Sequence, residues 1–398
     1  MASPYHGAVW PSLQDHPFAR ATVINFFFWA ALNGFVLLPI YIQQLGGTEI
    51  EIGLVMGIYS GVGMVLQPVI GPWVDAIGRK PFMVFGVALV VVSCALAALA
   101  PVVGVLAFVR VLQGIGMAAF FVANFSYVLD LVPPAQRGWA LGIFGVSGFV
   151  STALTPLFGE WIVRRWGFPT LFGTMTVIAL VALALVVRVR ERQRADMPVV
   201  RGWGWARDAV TEVFQRRMAV TLSFGLGTGA VFAFLPTFAE NLGVTTLAIF
   251  YTAYSCAAIA VRLAGGRLID TLGRRAVIVP SMFIQAGAAA MLAGLGIAAE
   301  YVGRLPAVPF LATAGLLSGG AHGFLYPALA ALVTDQAPEA RRAAVIGVFS
   351  AVQLVGQTAG AVAFGYVAHH LGYPIMWSVL AALLLIGSVL SVGLHADR

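Results

Sequence analysis

The stretch Gly71-Pro72-Trp73-Val74-Asp75-Ala76-Ile77-Gly78-Arg79-Lys80 occurs a second time, in altered form, 195 residues further along the chain. The second copy reads Gly266-Arg267-Leu268-Ile269-Asp270-Thr271-Leu272-Gly273-Arg274-Arg275. Both copies place an acid, a glycine turn and two cations between long apolar runs. Recurrence at one offset indicates that the chain consists of two related halves.

The composition is that of a membrane protein. Hydrophobic residues make up 60% of the chain and charged residues 10%, whereas soluble domains carry about 25% charged residues. Apolar runs of about 20 residues recur along the whole length, and each is enough to cross a bilayer as a helix. The net charge of +7 comes from cations in a few loops. We therefore expect the lipid bilayer, and not nucleic acid, as the partner.

The apolar runs predict an all-α membrane protein with about twelve transmembrane helices in two pseudo-symmetric bundles. The predicted parts are an N-terminal six-helix bundle (1–187), a basic linker (188–217) and a C-terminal six-helix bundle (218–398). The predicted spans are 21–42, 53–75, 82–100, 104–129, 138–162, 168–187, 218–240, 247–270, 276–298, 308–333, 343–368 and 374–394. The linker segment 203–217 is interpreted either as an amphipathic surface helix or as a solvated connection.

The distribution of cations predicts the orientation in the membrane. Most of the 23 Lys and Arg residues fall on the side that holds the linker, whereas the opposite side holds Arg164, Arg165 and Arg304. By the positive-inside rule, the linker and both termini are cytoplasmic. We expect a monomer in the inner membrane of a bacterium.

A second repeat supports the duplication and locates an insertion. Residues 130–137 (Asp-Leu-Val-Pro-Pro-Ala-Gln-Arg) match residues 335–342 (Asp-Gln-Ala-Pro-Glu-Ala-Arg-Arg) at an offset of 205. The change of offset from 195 to 205 requires extra residues in the second half, between the two matches. We expect the insertion at about 298–308.

These repeats resemble a known family. The loop 71–80 is similar to the signature that the major facilitator superfamily carries between its second and third helices. The stretch Arg110-Val-Leu-Gln-Gly-Ile-Gly-Met-Ala118 resembles the fourth-helix signature of that family. The resemblance covers about residues 20–395. It implies a central cavity lined by helices 1, 4, 7 and 10, and two halves that rock to open this cavity to one side of the membrane at a time.

The fifth predicted helix departs from the sequence pattern of one branch of the family. Drug/proton antiporters carry Gly-Pro-x-x-Gly-Gly there, and this chain has Thr155 and Glu160 at the first and last positions.

The resemblance also implies a cytoplasmic gate. The residues of this gate are Asp75, Gly78, Arg79, Asp130, Asp270, Gly273, Arg274 and Asp335. We add Arg262, which lies in the eighth predicted span, to the gate.

Polar residues at helical spacing predict which faces line the cavity, because such side chains in membrane spans turn toward the bundle interior. The alternative is hydrogen bonding between helices. The predicted cavity residues are Asn25, Trp29, Asn33, Arg110, Gln113, Met117, Asn124, Phe232, Ser318, His322 and Tyr326. Arg110, a cation within a span, is interpreted as binding an anionic or polar group, as tuning a proton site, or as a structural anchor.

Titratable groups within the spans are few. His322 lies near the middle of its span, and its unperturbed pKa of about 6.5 suits a proton-coupling role. Structural hydrogen bonding is the alternative, and Glu160 and Glu240, at the ends of their helices, are the other candidates. Cys94 and Cys256 both lie in apolar runs, so we expect no disulfide. The adjacent His369 and His370 are interpreted as interfacial, and not as metal ligands.

The sequence therefore predicts a secondary transporter and not an enzyme, without a cofactor or metal. It contains no Gly-x-x-x-x-Gly-Lys-Ser/Thr loop for ATP. Aromatic residues are dense on the predicted cavity helices, which favours proton-coupled export of small amphipathic compounds. Uptake of a small polar or anionic metabolite through Arg110, and transport of a lipid or lysolipid, are the alternatives.

Overall fold

The computed structural model describes residues 17–132, 137–190, 216–302, 306–334 and 342–394, almost all of them helical. The helices are α1 (Pro17–Gln44), α2 (Glu49–Ile77), α3 (Arg79–Ala98), α4 (Val103–Leu131), α5 (137–166), α6 (168–187), α7 (Arg216–Asn241), α8 (Ala248–Leu272), α9 (Arg274–Val302), α10 (Ala307–Thr334), α11 (342–371) and α12 (373–392). Every predicted span overlaps one of these helices, with ends that agree to within about one helical turn. Most of the predicted linker lies outside the described residues.

Two glycines divide long helical stretches into pairs of spans. Arg137–Val187 and Arg342–Val392 each contain 51 residues. A straight helix of that length would measure about 75 Å, more than twice the hydrocarbon thickness of a bilayer. Gly167 (φ 81°) and Gly372 (φ 79°) break the two stretches in the left-handed region, where a side chain is disfavoured. A proline two residues later opens the next helix in each case.

The described helices form a membrane-spanning bundle. Nine described helical stretches are long and apolar enough to cross a membrane, and two of them are the pairs divided at Gly167 and Gly372. The helix α8 contributes a shorter apolar segment, Ala248–Ala264. With the two pairs divided, the described residues form an all-α membrane fold of twelve helices in two six-helix halves.

The same close helix crossing occurs in both halves. In the first half, a Cβ added to Gly114 of α4 would lie 2.8 Å from the carbonyl oxygen of Tyr59 in α2. In the second half, a Cβ on Gly319 of α10 would overlap the carbonyl oxygen of Tyr254 in α8. The two tyrosines are 195 residues apart and the two glycines 205. The sequence repeats therefore correspond to a repeated packing arrangement.

The extra residues of the second half lengthen a helix. The helix α9 contains 29 residues, whereas its counterpart α3 contains 20. The offset between the halves changes across the end of α9 and the short connection to α10. The insertion predicted at about 298–308 is thus taken up mainly as added turns of α9.

The halves meet along two seams, α2 against α11 and α5 against α8. In the first seam, a Cβ on Gly53 would lie 2.5 Å from the carbonyl oxygen of Ala361, and Thr358 bonds to the hydroxyl of Ser60 at 3.0 Å. In the second, Thr252 donates to the carbonyl oxygen of Ala153 at 3.2 Å. We call the end of the bundle with the turns at Gly78 and Gly273 the motif end, and the opposite end the far end.

Candidate functional site

The polar stripe of α1 packs against α5. Asn25 Nδ2 donates to Ser147 Oγ at 2.9 Å, and Asn33 Nδ2 donates to Ser151 Oγ at 2.8 Å and Thr152 Oγ1 at 3.0 Å. Trp29, between them, lies near Gly148 of the same helix. The position of Asn25 and Asn33 at the cavity stays a prediction. Their amides satisfy hydroxyl groups of a neighbouring helix, which was the alternative interpretation.

The polar residues of α4 are buried inside the first half. Arg110 is 5% exposed, donates to Gln113 Oε1 at 3.0 Å, and places its guanidinium carbon 4.8 Å from the centre of the Tyr59 ring. Among the described residues, Arg110 Nε and Gln113 Nε2 have no hydrogen-bond partner. The guanidinium is thus held by an amide and an aromatic face. Two buried donor groups remain free for another acceptor.

Further along α4, Met117 and Asn124 are also buried. Gln67 of α2 donates to Met117 Sδ at 3.4 Å. Neither amide atom of Asn124 has a hydrogen-bond partner among the described residues. The polar stripe of α4 is buried, and its predicted position at the cavity stays a prediction.

His322 lies among aromatic rings at the junction of the halves. Its ring centre is 5.0 Å from that of Phe224, 5.7 Å from that of Tyr254 and 5.9 Å from that of Phe149. Phe149 belongs to α5 of the first half, and the other two rings belong to the second half. The described contacts of His322 include these three rings. Tyr326 packs against Phe349 of α11.

The cation nearest to this histidine cluster is Arg262, and not Arg110. Its guanidinium carbon lies 4.8 Å from the centre of the Phe149 ring, and the side chain packs on Gly145 of α5. Arg262 is ten residues before the end of α8, which is about three turns. Its assignment to the gate stays a prediction, and its described contacts are with α5. Its pseudo-symmetric counterpart is Gln67, just as Met117 is the counterpart of His322.

A small pocket of about 20 Å³ adjoins His322 within the second half. Ser318 and Phe232, both predicted cavity residues, line it. Thr228 also lines it, and sequence reasoning missed two further lining residues, Tyr254 and Gln285. Gln285 belongs to α9, one of the helices that the resemblance does not assign to the cavity. Its position as an amide within an apolar run was the signal that could have found it.

At the motif end, Arg79 joins two carboxylates. It is 6% exposed, lies 2.9 Å from Asp75 and 3.2 Å from Asp130, and also donates to the carbonyl oxygen of Val74. Gly78 (φ 116°) and Gly273 (φ 87°) form the corresponding turns, each followed at once by a helix that begins with arginine, Arg274 in the second copy. The side chain of Asp270 and the whole of Asp335 lie outside the described residues.

At the far end, carboxylates of the first half contact the second half. Glu160 of α5 is 7% exposed and accepts a hydrogen bond from the backbone N–H of Leu247, just before α8. Glu49 of α2 lies 3.1 Å from His369 Nδ1 of α11. Glu240, also at this end, is exposed. The contact of His369 with a carboxylate at a helix end agrees with an interfacial position.

The described residues contain no group of three or more His, Cys, Asp or Glu side chains that could hold a metal ion. Cys94 is buried and Cys256 is exposed, and both are free thiols. Around His322 the structure brings together aromatic rings, Arg262 over one of these rings, the amide of Gln285 and the hydroxyls of Ser318 and Thr228. Such a surface binds and orients a solute through apolar contact and a few hydrogen bonds.

Comparison with known proteins identifies the family to which the chain belongs. The profile of the Major Facilitator Superfamily (MFS) matches residues 19–308 and 218–397. An uncharacterised MFS-type transporter of Methanocaldococcus jannaschii is 24% identical over 371 residues, which cover 90% of this chain and 93% of that one. The staphylopine export protein of Staphylococcus aureus is 23% identical over 388 residues, with 94% and 95% covered.

A solved structure has the same fold. The crystal structure of the nucleoside transporter NupG, determined for a point mutant, aligns with a TM-score of 0.78 at 15% sequence identity, covering 95% of this chain and 99% of that one. At this identity the likeness concerns the fold alone. Together with the profile match across both halves, it leads to one conclusion: the chain belongs to the Major Facilitator Superfamily and is a membrane transporter.

Proposed function

We propose that the chain exports small amphipathic compounds by alternating access, with protons as the driving ion. The observation that carries this proposal is the junction at Phe149. One ring from the first half contacts His322, Tyr254 and Arg262 of the second. A change in the relative position of the halves must separate or rearrange these groups, so a solute bound there is coupled to the movement.

The chemistry of the junction supports an amphipathic solute. Phe149, Phe224, Phe232 and Tyr254 present apolar faces, while Ser318 and Thr228 add hydroxyls nearby. A largely apolar pocket with a few polar groups binds a solute that has both characters.

Proton coupling is assigned to His322. His322 contacts rings of both halves, so a change in its charge affects the junction itself. Protonation would place a second positive charge in the cluster that already contains Arg262, and the two like charges would repel each other. Binding and release of a proton thereby favour different arrangements of the halves.

The orientation and direction are part of the proposal. Cations at the motif end support a cytoplasmic position for that end, for both termini and for the linker, in a bacterial inner membrane. Export by this chain is supported by its similarity to the staphylopine export protein, whose name describes export. A monomer is sufficient, because both seams form within one chain.

A second candidate function is uptake of a small polar or anionic metabolite. It is favoured by Arg110, whose Nε and neighbouring Gln113 Nε2 are buried donors without a partner among the described residues. Because an unpaired buried donor carries a free-energy penalty, an acceptor-bearing solute would be bound there.

Transport in proteoliposomes tests both functions. A panel of neutral amphipathic, cationic amphipathic and carboxylate-bearing solutes is measured with a pH gradient imposed in either direction. Export of amphipathic compounds driven by an inward proton gradient supports the first function. Accumulation of carboxylates that is lost in Arg110→Gln supports the second. Movement of neither class under any gradient would contradict both.

A further inference from the structure

The amide of Gln285 is oriented by a bond to α7. Gln285 Nε2 donates to the carbonyl oxygen of Phe224 at 3.3 Å, and this bond fixes the amide so that Oε1 points away from Phe224. Gly227 is the residue that permits this position, because a Cβ there would lie 2.5 Å from Gln285 Nε2. A side chain from α9 therefore reaches between the helices of the second half.

The other atom of this amide is a buried acceptor without a donor. Gln285 is 8% exposed, and among the described residues no donor lies within hydrogen-bond distance of Oε1. An unsatisfied buried carbonyl destabilises a structure, so its persistence requires a reason. Gln285 lines the pocket of about 20 Å³ beside His322. A volume of this size accommodates one polar group of a solute, or one water molecule.

The lining determines which group fits. The residues that could contact it are Thr228, Phe232, Tyr254, Gln285, Ser318 and His322. In the part of the chain that the structure describes, no carboxylate lines the pocket. Arg262 lies over the ring of Phe149, which also contacts His322. A positively charged donor such as an ammonium group would therefore have no counter-ion and would be repelled by the arginine. A neutral donor would satisfy Gln285 Oε1 without burying a charge.

We propose that this pocket binds a neutral hydrogen-bond donor of the transported compound, a hydroxyl or an uncharged N–H, and that Gln285 Oε1 is its acceptor. The inference rests on the proposed function, because it specifies which amphipathic compounds the carrier prefers. Compounds that present such a donor on an aromatic body bind more tightly than their alkylated analogues.

The test uses two fluorescent probes, 7-amino-4-methylcoumarin, which carries an uncharged N–H donor, and 7-dimethylamino-4-methylcoumarin, which does not. Binding to the full chain in lipid nanodiscs is measured by fluorescence anisotropy. We expect the amino compound to bind about tenfold more tightly to the wild type. In Gln285→Met, which keeps the length of the side chain and removes the acceptor, the difference should fall to within about twofold. Gln44→Met, at an exposed amide, should retain it.

A second variant tests the inference independently, in case Gln285→Met does not fold. Ala289 lines the same pocket and is 3% exposed, so Ala289→Val should fill the pocket and weaken binding of the amino compound at least about fivefold. Absence of binding by either probe, or a preference that persists in Gln285→Met because it is steric, would overturn the inference. If the wild type still transports solutes of the panel, these outcomes contradict the inference but not the proposed function. If the wild type transports none of the panel solutes, the proposed function itself is contradicted.

Discussion

The carboxylate of Glu160 in α5 accepts a hydrogen bond from the backbone N–H of Leu247, immediately before α8. A side chain of the first half thus caps a helix of the second half. The N-terminus of a helix attracts a negative charge, so the ionised carboxylate stabilises this contact. Loss of the carboxylate would remove this contact between the halves.

The first prediction follows from this cap. Glu160→Gln removes the charge and should shift the carrier toward the state that is open at the far end. In a background without Cys94 and Cys256, spin labels at the exposed positions Gln44 and Asn241 report the distance between the halves. We expect a longer mean distance in the variant than in the wild type. Glu240→Gln, an exposed carboxylate at the same end, is the control. Identical distance distributions for the wild type and Glu160→Gln would show that the Glu160 cap does not hold the halves together at the far end.

The second prediction concerns the charge cluster at the motif end. Arg79 is buried between Asp75 and Asp130, so the loss of one carboxylate leaves a poorly compensated cation. Asp75→Asn and Asp130→Asn should leave the protein folded, decrease transport at least about fivefold, and raise access to the cavity from the motif end. The coupling involved is on the order of 1–3 kcal/mol. Arg190→Gln, at an exposed cation, is the control. Wild-type transport rates in both aspartate variants would show that the loop has no part in gating.

The third prediction concerns proton coupling. His322→Gln keeps a polar side chain of similar size and removes the titratable group. Solute binding should remain within about threefold of the wild type, whereas the dependence of transport on the pH gradient should be lost. His370→Gln, at an exposed histidine, should behave as the wild type. If His322→Gln still accumulates solute on a pH gradient alone, the coupling group is elsewhere, and Glu160 becomes the first candidate.

The fourth prediction concerns helix packing. A Cβ on Gly319 would overlap the Tyr254 carbonyl oxygen, whereas a Cβ on Gly320 would meet nothing within 4 Å. Gly319→Ala should lower the thermal unfolding midpoint by several degrees, because backbone atoms cannot move aside. Gly320→Ala should leave it unchanged or raise it slightly, since alanine favours helix by about 1 kcal/mol. Equal midpoints for the two variants would contradict the close crossing.

The fifth prediction concerns orientation. A single cysteine at Gly46 or Tyr301 should react with an impermeant maleimide added to intact cells, and a cysteine at Met197 should react only after lysis. Tyr301 is 84% exposed, so poor access does not explain a negative result there. Labelling of Met197 alone in intact cells would reverse the assigned topology.

Much of the fold could be predicted because its determinants are local. Apolar runs, glycines and prolines give the helix ends, and the two offsets locate the insertion to the end of α9. The neighbours of each helix face could not be predicted. Asn25 and Asn33 fall on one stripe of α1, yet periodicity does not say that serine and threonine of α5 meet that stripe. Arg262 meets Phe149, and Gln285 meets Phe224, only through contacts between distant segments, and the first of these contacts joins the two halves.

The added turns of α9 have a practical consequence for imaging. Nine residues beyond the length of α3 correspond to about 13 Å of helix, present in one half only. Projections of a small pseudo-twofold bundle in a detergent micelle resemble one another after a half-turn, which confuses particle alignment. The added turns of α9, which are present in one half only, remove that ambiguity. The end of α9 around Tyr301 is therefore the site at which a fused scaffold or a binding antibody fragment would give electron micrographs a unique reference direction.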